Sequence, residues 1–159
     1  MKSTLAAAGA IAGVIVVGTV AATVLFVRSR ITTEPARRDE ALAELAQTRT
    51  RFAGQTPLIE LASDDQPILH PPAAAAPQAL HALRALVYDP ARGTLSRMDL
   101  PGWVVRAISV GGRVRLANLG VTEASDTPQR LTLEDLERHG PGIVMDISRR
   151  QRQILVWTD

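Results

Sequence analysis

The chain has 159 residues, 46% of hydrophobic type and 3% aromatic, so it has room for one small domain with a largely aliphatic core. It contains no cysteine, which excludes a disulfide framework and any thiolate metal site. Its 18 Lys and Arg against 16 Asp and Glu give a net charge of +2 with both signs interspersed, whereas nucleic-acid-binding proteins usually have a concentrated basic face. We therefore expect no nucleic-acid partner.

The first predicted element is an apolar segment from Leu5 to Val27, in which 23 consecutive residues carry no charge. At about 1.5 Å per residue, a helix of this length reaches about 34 Å, enough to cross a hydrocarbon core of about 30 Å. The apolar stretch is longer than that of a cleaved signal peptide. Residues 1–30 are therefore predicted to form an uncleaved transmembrane anchor.

Basic residues flank this segment unequally. Lys2 precedes it, whereas Arg28, Arg30, Arg37 and Arg38 follow it. The side with more Lys and Arg usually stays in the cytoplasm. This pattern predicts a single-pass protein of the bacterial inner membrane with a cytoplasmic C-terminal domain, and with Arg28 and Arg30 as anchors at the membrane interface.

Small residues recur within the predicted span. Gly9 and Gly13 have the G-x-x-x-G spacing, and Gly18 follows on the same segment. Small residues four apart let helix backbones approach closely, although a segment rich in Ala and Gly also contains such spacings by chance. The expected partners are the lipid bilayer and either a second copy of the chain or other membrane subunits.

A juxtamembrane helix is predicted over residues 31–53, with a start at Thr32–Pro35 and a thin apolar stripe. It is either a solvated helix that continues away from the membrane or a stalk that binds a partner. Residues 54–79 are rich in Pro and Ala and are predicted as a semi-rigid linker. Within this linker, Leu58–Leu61 is a short apolar patch that can dock as an extra strand or turn.

From about Leu80 the pattern becomes that of a folded domain, residues 80–159. Four segments are predicted as strands by their apolar alternation: 80–88, 94–100, 143–148 and 153–158. Asp89 and Gly93 bound a turn between the first two strands, and a short arginine-rich tip joins the last two. The domain is therefore expected to contain two antiparallel hairpins.

Two short helices complete the prediction. One covers residues 103–110, and the other covers 133–139, where Thr132 and Asp135 have the spacing of a capping box. Residues 113–130 give the least clear pattern. The expected fold class is a single N-terminal transmembrane helix plus a small α+β domain, with two β-hairpins side by side and the helices on one face.

The turns and caps of this domain follow a recognisable order. The segments concerned are Asp89–Gly93, Leu100-Pro101, Leu133-Glu134-Asp135-Leu136, Gly140-Pro141-Gly142 and Ile154–Trp157. The order resembles the small domain of bacterial envelope-stress proteins of the YvlB/LiaX type, over residues 80–159. That family usually places this domain first and a β-rich repeat domain after it, which differs from the order here. The resemblance implies a membrane-associated regulatory or interaction role and no catalytic residues.

Residues with catalytic or metal-binding chemistry are few and scattered. His70, His81 and His139 fall in the linker, at a strand start and at a helix end, without the spacing of metal ligands. The sequence has no P-loop and no nucleophile elbow. We expect no enzyme activity, no metal, no cofactor and no small-molecule substrate.

The candidate partner contacts are Trp103, Arg149, Arg150 and Arg152. Trp103 is either a core residue or an exposed interface anchor. The three arginines form either a solvated turn or a contact with anionic headgroups or an acidic partner. The sequence thus favours a non-enzymatic membrane protein that presents an interaction domain as an adaptor, regulator or scaffold. The alternative is an accessory subunit of a larger membrane complex.

Overall fold

The computed structural model describes residues 25–61, 67–70, 76–109, 111–116, 131–149 and 152–159. Within these ranges the chain forms a mixed sheet of seven strands with helices on both of its faces. The strands are β1 (Ile31–Pro35), β2 (Ile59–Leu61), β3 (Pro67–Leu69), β4 (Ala82–Asp89), β5 (Thr94–Pro101), β6 (Gly142–Arg149) and β7 (Arg152–Thr158). The helices are α1 (Arg38–Thr50), α2 (Gly102–Ile108) and α3 (Leu133–His139).

The spatial order of the strands is β1-β5-β4-β7-β6-β2-β3. The two hairpins predicted from the sequence are its centre, because β4 pairs with β5, β6 pairs with β7, and β4 pairs with β7. The first hairpin closes as its turn chemistry predicts. Asp89 Oδ1 accepts hydrogen bonds from the backbone N–H groups of Ala91 and Arg92, and Gly93 takes a positive φ of 62°.

The predicted fold class is nevertheless wrong, because three further strands extend this sheet. β1 pairs antiparallel with β5 at one edge, and at the other edge β2 runs parallel to β6 and pairs antiparallel with β3. Residues 32–35, predicted to start a helix, lie in β1. The β-branched Thr32 and Thr33 favour a strand, and Glu34 is held extended by the proline after it. β2 and β3 lie within the segment predicted as a linker.

The helices also lie on both faces of the sheet rather than on one. α1 buries Ala41 and Leu45 against Leu86, Leu155 and neighbouring side chains, and we name this side the α1 face. α2 and α3 cover the larger core on the opposite side, named the α2–α3 face. The segment predicted to extend from the membrane is therefore a layer of the domain, because the central strands are apolar on both sides and need a cover on each.

The end of the predicted membrane span also belongs to this domain. Residues 25–29 are helical, Arg30 is a turn, and Phe26 and Val27 pack against the core on the α2–α3 face. In the described ranges, no helix is both long and apolar enough to cross a membrane. This finding corrects the predictions of a transmembrane anchor, a single-pass protein and an inner-membrane location. Residues 1–24 lie outside the described ranges.

Candidate functional site

The residues that were predicted from the sequence as site residues do not lie together in the structure. Gly9, Gly13, Gly18 and Arg150 lie outside the described residues. Arg28 is exposed beside the turn at Arg30, and Trp103 lies on α2. Arg149 and Arg152 face each other across the β6–β7 hairpin. The nominated residues therefore fall at two separate places, one around Trp103 and one around Arg152.

The first place is an aromatic surface that we name the Trp103 patch, formed by Phe26, Arg30 and Trp103. The rings of Phe26 and Trp103 are tilted by 45° with their centroids 5.4 Å apart. The guanidinium carbon of Arg30 lies 4.9 Å from the centroid of the Phe26 ring, which is a cation–π distance. Trp103 is 62% exposed, and Leu25, next to Phe26 in the chain, is 67% exposed.

Trp103 is exposed because of how α2 begins. A Cβ on Gly102 would lie 1.7 Å from the carbonyl oxygen of Leu80, so only glycine allows this close approach of the backbone. The helix then buries Val104 and Val105 in the core, which turns Trp103 to the outside. The indole is therefore held on a fixed helix and is not carried by a loop.

The second place is the groove that Arg152 lines, together with residues of β1, β4 and β5, in a cavity of about 260 Å³. Arg152 is half-buried, so it is not part of a fully solvated turn. Arg149 is also half-buried and has contacts of its own. The sequence placed both residues at a hairpin tip but gave no sign of a groove, because the other strands that line it are distant in the chain.

The α1 face carries most of the ion pairs of the described chain. Arg49 donates two hydrogen bonds of 2.7 Å to the Asp146 carboxylate, and these bonds raise the pKa of Arg49. Arg97 likewise donates to Glu44 and Glu34, and its bonds with Glu44 raise its pKa. These pairs fasten α1 to the sheet. A groove of about 460 Å³ beside them is lined by four paired charges, Glu44, Arg84, Arg97 and Asp99, and also by Arg30, which forms no ion pair in the described chain.

The histidines do not converge on a site. The His70 ring lies 2.9 Å from Glu60 at the β2–β3 edge, and His139 Nε2 donates to the backbone carbonyl of Ile143 at 3.0 Å. Burial lowers the pKa of His139. Across the ranges that the structure describes, no three His, Cys, Asp or Glu side chains are grouped so that they could hold a metal ion.

Comparisons with protein-family models, with curated proteins and with solved structures gave no match to this chain. The resemblance to the envelope-stress domain therefore stays a prediction. Reasoning from the sequence treated Phe26 only as part of an apolar span and did not connect it with Trp103. The two residues are 77 positions apart in the chain, so only the tertiary fold brings their rings together.

Proposed function

We propose that this chain is a non-enzymatic binding module that recognises a partner protein through the Trp103 patch. The observation that carries the proposal is the 62% exposure of Trp103 on a helix whose next two residues are buried. Tryptophan and arginine are enriched among the residues that contribute most of the binding energy at protein interfaces. A rigid indole beside a second aromatic ring loses little side-chain freedom when it is covered.

The charges around the patch indicate the chemistry of the partner. In the described chain, neither Arg28 nor Arg30 forms an ion pair with a carboxylate, and both lie within one turn of Phe26. Arg106, one helical turn after Trp103, is already bound to Glu137 at 2.7 Å. We therefore expect a partner segment with an apolar side chain that covers Trp103 and acidic residues that reach Arg28 and Arg30.

Site-specific photo-crosslinking in cells tests this proposal. A photoreactive amino acid at position 103 should give a discrete adduct with a partner protein. The matched control is position 47, because Gln47 is exposed on α1 at the opposite face of the sheet. The adduct should weaken when Arg28 and Arg30 are both changed to Glu, because the charge of the patch is then reversed.

The result depends on the amount of crosslinked adduct from position 103 compared with that from position 47. Equal adducts from positions 103 and 47, or no adduct from 103, would remove the Trp103 patch as the binding surface. Trp103→Ala should lower the free energy of unfolding by only about 1 kcal/mol, because the side chain is mainly exposed and loses chiefly its ring contact with Phe26. Urea unfolding of this variant therefore separates lost binding from lost folding.

The stoichiometry of the adduct distinguishes a regulator from a subunit of an assembly. A regulator engages its partner transiently and leaves most of the chain free, whereas an accessory subunit co-purifies with its partners at a fixed ratio. Quantification of crosslinked against free chain measures the difference. The same exposed indole supports both roles.

A further inference from the structure

The groove around Arg152 is a second surface with its own chemistry. It lies on the α2–α3 face, at the end of β1, β4 and β5 that is next to the first hairpin turn. Its floor is apolar, and its polar lining comes from the following side chains: Thr33, Asp89, Arg92, Thr94, Ser96 and Arg152. None of these residues belongs to the Trp103 patch, so this inference does not depend on the proposed function.

Arg152 is the residue that calls for an explanation. Its Nε atom is buried and has no hydrogen-bond partner, and among the described residues no carboxylate forms an ion pair with its guanidinium. A buried N–H donor without a partner is costly, and such groups are normally hydrogen-bonded. By contrast, Arg84 on β4 and Arg97 on β5 have carboxylate partners within hydrogen-bonding distance, Asp159 at 2.7 Å and Glu44 at 2.6 Å.

The one carboxylate in the groove is already engaged. Asp89 Oδ1 accepts from the backbone N–H groups of Ala91 at 2.9 Å and Arg92 at 3.2 Å, and Oδ2 lies 3.7 Å from Arg92 Nε. Asp89 and Arg92 therefore balance each other's charge within the turn. Arg152 remains as the uncompensated positive charge of the groove.

Hydroxyl groups line the opposite wall. Thr33 Oγ1 and Ser96 Oγ lie 2.8 Å apart across the β1–β5 pair, and Thr94 lines the same groove. One of these two hydroxyls donates to the other, which leaves at least one O–H of the pair free to turn towards a ligand. A cation with planar donors that faces hydroxyl donors is a typical environment for a phosphate or carboxylate group.

We propose that this groove binds a small ligand through an oxyanion group, either phosphate or carboxylate, with Arg152 as the main contact and Ser96 and Thr33 as hydroxyl donors. The cavity of about 260 Å³ is smaller than most sites for drug-sized ligands, so the ligand is of the size of a phosphate ester or a short carboxylic acid. The apolar floor contributes contact with the rest of the ligand.

An NMR titration of the full chain tests this inference. The ¹⁵N-labelled protein is titrated with inorganic phosphate and, separately, with acetate at constant ionic strength, and the arginine Nε–H signals are followed. We expect a saturable shift of the Arg152 signal. Arg152→Gln should weaken the binding about tenfold or more, because the charge-assisted donors are lost, and Ser96→Ala should weaken it less.

Two controls make the titration decisive. Arg51→Gln removes a partly exposed arginine at the α1 face, 3.9 Å from Asp159, and should leave the affinity unchanged. Arg152→Gln should stay folded with an unchanged or raised melting temperature, because it removes a half-buried charge whose Nε has no hydrogen-bond partner. A large loss of stability would mean that Arg152 has a structural role and would contradict the proposal.

The relative affinity of the two probes identifies the ligand chemistry. Tighter binding of phosphate indicates a phosphate ester, and tighter binding of acetate indicates a carboxylic acid. Shifts that do not saturate, or shifts that are the same in Arg152→Gln, would overturn the inference, since the anions would then be acting on the surface charge in general.

Discussion

The half-buried ring of His139 makes the stability of the fold depend on pH. Its ring is half-buried at the end of α3, and its pKa lies below the ordinary value of 6.5 because burial disfavours the charged form. The unfolded chain therefore takes up a proton at a higher pH than the folded chain does. The stabilisation from this histidine is present above pH 6.5 and is lost as the pH falls towards the folded-state pKa.

We therefore expect the free energy of unfolding to decrease between about pH 7.5 and pH 5.5, above the range in which carboxylates titrate. His139→Gln keeps an N–H donor for the Ile143 carbonyl but does not titrate, so this decrease should become smaller. Urea unfolding at several pH values measures it, with the exposed His81→Gln as the control. An equal pH dependence in the wild type and His139→Gln would contradict the assignment.

Single residues were predictable where their chemistry is local. Thr132 and Asp135 form the capping box that the sequence predicts, with both reciprocal hydrogen bonds present, because a cap is decided within four consecutive residues. Trp103 was left open between core and interface, since its exposure depends on the approach of Gly102 to Leu80. The groove around Arg152 was not predicted for the same reason, because most of the strands that line it lie far away in the chain.

At the scale of elements, the contact of α1 with the sheet depends on the pair between Arg49 and Asp146. The two side chains are 29% and 25% exposed and make two parallel hydrogen bonds. Arg49→Gln leaves Asp146 partly buried without its cation, and we expect a cost of about 1–3 kcal/mol in the free energy of unfolding. Urea unfolding measures this cost.

A double-mutant cycle with Asp146→Asn separates this pair from other effects. The coupling energy should be about 1–2 kcal/mol. The matched control is Arg37→Gln, because Arg37 lies 3.7 Å from Asp39 and both side chains are mainly exposed, so its cost should stay within about 0.5 kcal/mol. A coupling energy as small as this control value would show that the pair does not hold α1 in place.

Helices and strands were likewise predictable from the sequence where neighbouring residues determine them, and not where distant residues do. The two hairpins follow from turn residues and alternation, and both were predicted. The place of α1 was not, although β4 and β7 carried a signal for it. Each strand contains a continuous apolar run, Leu86-Val87-Tyr88 in β4 and Leu155-Val156-Trp157 in β7, and a strand that is apolar on both sides needs cover on both.

At the scale of the whole molecule, the structure joins segments that the sequence assigned to separate parts. β1 and α1 come from the predicted juxtamembrane helix, β2 and β3 come from the predicted linker, and all four are attached to the central hairpins. β2 reaches β6 by parallel pairing over a long chain separation, which no local pattern indicates. The described chain is therefore expected to unfold as one cooperative unit.

The two tryptophans allow this expectation to be measured. Trp157 is 6% exposed beneath α1, whereas Trp103 is 62% exposed, so Trp103→Phe leaves a single fluorophore that reports on the α1 face. If α1 is a layer of the domain, the urea midpoints from Trp157 fluorescence and from circular dichroism of the sheet should coincide. If α1 were a separate stalk, it would not cover Trp157, and the unfolding of α1 and of the sheet would not have to coincide. A fluorescence transition well before the loss of sheet structure would show that α1 detaches on its own, and would contradict the single cooperative unit.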